Sequence, residues 1–363
     1  MILIESDGVM FSSLPDLPWE DLGEIGSHLA SSATLVPGYP LPTEAAFSPI
    51  DLLQEKVAGR KRLVILPDRN VVSRMARIAQ DGISYPPCQF TRLATMIMAF
   101  AQALDIEVEP SIAFHELAHR NGNEEAQEEL TWFRAADEYQ VQAWIDMAMG
   151  RIDRLPLSSP SAKEELNLAK PLKRWRCNYL AALKISSLSL TNMSAAERVE
   201  RLLEWMEEDF IFAGPAAVYA VKYFSPNGVQ RRMIKHLRSP SRDRALAGIR
   251  NAAWDMTYIS DFVDRINKTG HNTQNILVTS DRALADVAEL IVQYASVTDQ
   301  EENLEDGLAT WWPEREARII SAQLVRLAHI ATTRPPPEYP GESTAPLTDW
   351  ISEAEERMWK WAP

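Results

Sequence analysis

Two short apolar runs, far apart in the chain, limit what it can fold into more than any other feature. RLVILPD (62–68) and NILVTSD (275–281) are continuous stretches of mostly branched apolar residues, each ending in an aspartate. Runs without polar alternation mark strands covered on both faces, as in a parallel sheet packed between helices. The flanking sequence supplies helices. Apolar residues recur every three or four positions over 70–80 and 90–104, and Pro110 leads into a further helical stretch, SIAFHELAHR. Residues 243–267 predict one long helix, and RALADVAELIVQY a crossover helix behind the second strand. The expected class is therefore α/β, a parallel sheet flanked by helices, with 61–120 and 243–295 forming the core and 121–242 a large all-helical insertion. Residues 1–60, rich in Pro, Gly and Ser, are expected to form an irregular arm docked through Trp19, Leu22, Ile25 and Leu29. Residues 296–363 form a C-terminal helical tail, with helices over 314–332 and 348–360 and a solvated acidic loop over 296–310.

Composition narrows the setting. The 363 residues, 46% hydrophobic, can bury a large core, and a net charge of −14 argues against a protein that coats nucleic acid over its whole surface. Two cysteines, Cys88 and Cys177, make no CxxC pair, which argues against a disulfide framework or structural zinc and fits a reducing compartment. MILIESDGVM lacks the basic start of a signal peptide, and MIMAFAQAL, the longest apolar stretch, falls short of the ~20 residues that cross a bilayer. A soluble, cytoplasmic protein without a membrane partner is expected.

Asp68 and Asp281 each follow a predicted buried strand, and ligands of open parallel sheets bind at the carboxyl ends of strands. Both residues also suit turns, and Asn70, Thr279 and Ser280 beside them can support a site or simply cap helices. Glu116 sits in a helix. Asp255 sits in NAAWDMTYI, among residues typical of a core, with Asn251 one turn earlier on its face. A buried aspartate must pair or hold something, and Arg244 or Arg250 could supply a salt bridge. Four carboxylates meeting above a sheet repel one another unless a cation separates them, and hard oxygen donors suit Mg²⁺ or Mn²⁺.

The pieces VILPDRNVV, IAFHELA, NAAWDMTYI and LVTSDRAL, in that order, resemble the PIN-domain (PIN-like) nucleases. The resemblance implies a parallel sheet between helices and a metal-dependent nuclease acting on RNA ahead of DNA. It further implies Asp68, Glu116, Asp255 and Asp281 as catalytic carboxylates, each a metal ligand or a carboxylate directly behind one, with Asn70 and Thr279 as supporting polar groups. It does not cover the arm, the insertion or the tail, and Pro67 and Arg69 depart from the small or apolar residues usual beside the first acid.

Basic residues gather just before Asp255. Arg231, Arg232, Lys235, Arg238, Arg242, Arg244 and Arg250 form a candidate phosphate ramp, and KPLKRWR (170–176) embeds Trp175, which could stack on a base. Pairing with EEAQEE and EWMEED is the structural alternative. Two further functions compete. HELAH matches the five-residue zinc-peptidase pattern with His115, Glu116 and His119, and a catalytically silent PIN-like scaffold could bind RNA or protein. The insertion or tail, with Trp311, Trp312, Trp359 and Trp361, could seat a partner or a second copy.

Overall fold

The computed structural model describes residues 5–6, 9–10, 17–32, 34–38, 62–84, 87–156, 159–227, 233–268, 273–295, 300–333 and 345–361. β1 (Glu5–Ser6) and β2 (Val9–Met10) make a short antiparallel hairpin. β3 (Leu35–Pro37), β4 (Arg62–Pro67), β5 (Glu107–Val108) and β6 (Thr273–Val278) form one sheet in the order β3-β6-β4-β5. The two apolar runs lie side by side: β4 and β6 are parallel, from Arg62 opposite Thr273 to Pro67 opposite Val278.

Strand alternation divides the core in two. Val64, Leu66 and Leu277 enter one apolar cluster, while Ile65, Ile276 and Val278 enter the other. Helices cover both faces, which is why the strands carry no polar alternation. On the second face lie α1 (Trp19–Ser31), α2 (Arg69–Asp81), α3 (Gln89–Leu104), α4 (Ser111–Asn121), α5 (Asn123–Asp137) and α6 (Val141–Ala148). On the first lie α7 (Lys173–Ser189), α8 (Ala195–Glu208), α9 (Gly214–Phe224), α10 (Arg242–Lys268), α11 (Arg282–Ala295), α12 (Gln300–Ala309), α13 (Glu314–Thr333) and α14 (Ala345–Lys360). The helices of 121–242 thus divide between the two faces, α5 and α6 on one, α7 to α9 on the other.

Four expectations change. The sheet is mixed, because β3 runs antiparallel to β6; three residues in a Pro- and Gly-rich stretch gave no strand signal. The arm contains α1, whose Leu22, Ile25 and Leu29 are buried as anticipated, at spacings that suit a helix; most of 39–61 lies outside the described residues. Residues 300–309 are helical, since Leu304 and Leu308 form a buried stripe one turn apart beneath the acidic face. Finally, residues 149–156 and 159–172 between α6 and α7 carry no helix, in a stretch broken by Pro156, Pro160 and Pro171. Among the described residues no helix is long and apolar enough to cross a membrane.

Candidate functional site

The β4–β6 register fixes the first two acids. Asp68 leaves the sheet beside Thr279, its amide donating to the Val278 carbonyl at 2.8 Å. Its buried side chain caps α2, accepting from the Val71 amide at 2.9 Å. It also accepts from the Thr279 hydroxyl at 2.6 Å and the Ser280 amide at 3.3 Å. One carboxylate therefore both caps α2 and ties the ends of β4 and β6 together. Asp281 caps α11, accepting from the Ala283 amide at 2.9 Å, and its own amide donates to the Thr279 hydroxyl oxygen at 3.0 Å. The fully buried Thr279 hydroxyl thus links the two acids.

Glu116 comes from α4 and Asp255 from α10. The Tyr258 hydroxyl, one turn after Asp255, donates to Glu116 at 2.8 Å. Asp255 has no hydrogen-bond or salt-bridge partner among the described residues. Neither proposed arginine takes it: Arg250 binds Glu355 at 2.9 Å, and Arg244 lines the cleft without binding Asp255. α10 is held in place by Arg174, which reaches Asp261 and Asp264, and by Arg265, which reaches Asp261 and Glu109.

All four carboxylates line one cleft of about 830 Å³ at the carboxyl ends of β4 and β6. Its floor is one face of α10, from Arg244 through Gly248, Asn251 and Asp255 to Tyr258. Asn70, Arg120, Lys235 and Arg250 also line it. Burial pushes the Glu116 carboxyl up to about 7, although the Tyr258 hydrogen bond and Arg69 favour its charged form. Burial likewise raises Asp68 despite its three hydrogen-bond donors. Asp255 is raised well above its ordinary value: burial acts first, then the charges of Asp281, Glu116 and Asp68, with Lys235 opposing. These acids are close enough to destabilise one another's charged forms.

Among the described residues no three His, Cys, Asp or Glu side chains are grouped closely enough to cage an ion as they stand. The four acids surround a cleft rather than close on one point. The donor chemistry nevertheless fits a hard divalent cation, since the candidates are carboxylates under mutual repulsion, and such ions keep several waters of their own.

The ramp is only partly a surface. Lys235, Arg244 and Arg250 line the cleft, whereas exposed Arg238 does not; Arg231 and Arg232 lie outside the described residues. Arg242 is buried and props the preceding turn through the Ser239 carbonyl, so it is not a surface phosphate contact. Within EEAQEE, Glu129 binds Arg69, and within EWMEED, Glu207 binds Arg326. In the second patch Arg174 binds Asp261 and Asp264 of α10, and Trp175, stacked on Tyr179 at 4.9 Å and on His119 at 5.6 Å, lines the same cleft as the four acids.

The histidines of HELAH face a strap of backbone. His115 Nδ1 meets the Leu168 carbonyl at 2.7 Å and His119 Nε2 the Lys170 carbonyl at 3.2 Å, while Glu116 turns to Tyr258. Of the tryptophans, Trp312 is core, its indole N–H donating to the Val221 carbonyl at 3.0 Å, and Trp359 is exposed. Sequence reasoning passed over Tyr258, Arg120 and Gly248; Tyr258 sat inside the quoted motif, but an apolar context gave it no polar role. Comparison of the chain with protein-family models, with curated proteins and with solved structures returns no match.

Proposed function

We propose that the chain is a PIN-like, metal-dependent nuclease that hydrolyses phosphodiester bonds, with RNA ahead of DNA as substrate. One observation carries the reading: four carboxylates from four separated segments, Asp68, Glu116, Asp255 and Asp281, line a single cleft at the strand ends, flanked by Lys235, Arg244 and Arg250. Carboxylates that raise one another's pKa values despite nearby basic residues have a physical reason to exist if they hold an added cation. These four residues would hold Mg²⁺ or Mn²⁺, which when bound would polarise a phosphate and lower the pKa of an attacking water. Thr279 and Ser280 keep Asp68 oriented, and Tyr258 does the same for Glu116. Asn70 and Asn251 offer neutral polar contacts along the cleft. Lys235, Arg244 and Arg250 supply the positive end on which a polyanion docks. The two free cysteines suit the reducing cytoplasm.

The test is cleavage of labelled RNA and DNA oligonucleotides by purified protein with MnCl₂, MgCl₂ or EDTA. We expect metal-dependent cleavage that falls at least about a hundredfold in Asp68→Asn and Asp281→Asn, with the melting transition retained. Turnover that survives chelation, or both substitutions, overturns the reading. Binding without turnover would leave a silent scaffold.

A further inference from the structure

Residues 233–239, just before α10, make a turn held by several buried contacts. Met233, Ile234 and Leu237 are buried and anchor it. The buried Tyr219 hydroxyl donates to the Met233 carbonyl at 2.9 Å. Arg242 donates to the Leu237 carbonyl at 3.4 Å and to the Ser239 carbonyl. The Lys235 carbonyl packs directly on the α10 backbone at Gly248, where a Cβ would stand 1.9 Å from its oxygen. Within the turn His236 adopts φ +59. The other described non-glycine residue with positive φ, Asp105, ends α3 in an ordinary left-handed cap. Backbone held in this sparsely populated region recurs at ligand clamps and other functional sites.

The result of this support is two exposed side chains, Lys235 and His236, that line the cleft containing the four acids. Lys235 has no ion-pair partner among the described residues, and its charge reaches Asp255. A rigid cation opposite an acidic wall is arranged for a ligand that carries negative charge toward one side and meets the carboxylates on the other.

We infer that the 233–239 turn is the phosphate-orienting element of the cleft, with Lys235 and His236 contacting non-bridging phosphate oxygens of the bound strand beside the carboxylates. Tyr219, Arg242 and Gly248 are positioning residues that fix the turn. The inference rests on the nuclease reading for its ligand, yet it concerns binding and can be read without turnover.

The experiment uses the full chain and a fluorescein-labelled single-stranded oligouridylate, with anisotropy in EDTA across a salt series and cleavage measured separately in MnCl₂. Lys235→Ala is expected to make the slope of log K against log salt shallower by about 0.7 and to weaken binding about three- to tenfold near 100 mM salt. Gly248→Ala, which displaces the turn but keeps the lysine, should lose affinity similarly; Tyr219→Phe, a gentler change, should show a smaller loss while still folding. Lys163→Ala, on the exposed 159–172 stretch, serves as the control and should bind like the unmodified chain. An unchanged slope in a folded Lys235→Ala protein overturns the inference, as does absence of binding by the unmodified chain at low salt. Lys235-dependent binding with no metal-dependent cleavage would instead sustain the turn and overturn the nuclease reading.

Discussion

Asp255 occupies a helix-interior position at which aspartate is a poor choice, and nothing among the described residues neutralises it directly. Its neighbours on the cleft wall are three more acids, so its charged form is disfavoured both by burial and by repulsion. Asp255→Asn keeps the shape and removes the titrating charge. We expect the metal-free variant to be more stable than the parent by roughly 1–3 kcal/mol at neutral pH, measured by urea unfolding in EDTA, while metal-dependent cleavage is lost. A variant that is destabilised instead would mean that the carboxylate is held by a favourable interaction. Thr279 is the complementary case: its single hydroxyl donates to Asp68 and accepts from the Asp281 amide, so one small side chain sets the geometry of two acids.

At the scale of elements, helix ends and helix faces place the site. Asp68 and Asp281 are N-caps of the helices that follow β4 and β6, which points both toward the same edge of the sheet. α10 contributes a whole face, so residues three and four apart become neighbours along the cleft floor. α12 shows how charge can hide a helix. Its acidic side chains dominate the sequence, yet Leu308 is fully buried among α11 and α13. Leu308→Ala should therefore cost about 2–5 kcal/mol in chemical denaturation, whereas substitution in a solvated loop would cost next to nothing.

For the whole molecule, burying several acids in one cleft couples stability to pH and, on the proposed reading, to metal. Glu116 titrates near 7 in the folded chain against 4.5 ordinarily, so between those values the folded state binds more protons than the unfolded state. Its contribution is fully present below about pH 4.5 and is lost as pH rises through about 7, on the order of 3 kcal/mol in all. Asp68 and Asp255, also raised, act in the same direction. In EDTA the melting temperature should fall as pH is raised from 5 to 8; Mn²⁺ should raise it most at the alkaline end, where the carboxylates are ready to bind. A pH-independent melting temperature, unmoved by Mn²⁺, would contradict this account of the cleft.

Sequence by itself determined the two central strands, the long α10 and the order of the four acids, because continuous apolar runs and three-to-four spacing are local signals that survive without neighbours. It also marked Asp255 as a carboxylate in an apolar setting. It could not supply the antiparallel β3 or the two-residue β5, which exist only because a longer strand lies beside each to pair with. Nor could it separate the cations. Arg242, Arg244 and Arg250 look alike in a basic stretch, and only packing makes the first a buried prop, the second a cleft residue and the third a partner of Glu355 as well as a cleft residue. The same holds for Glu116 and His119, neighbours in one motif that helix geometry turns to different partners, Tyr258 for one and a backbone carbonyl for the other. Spacing along the chain decides which face of a helix a residue occupies; what stands opposite that face is decided by tertiary structure alone.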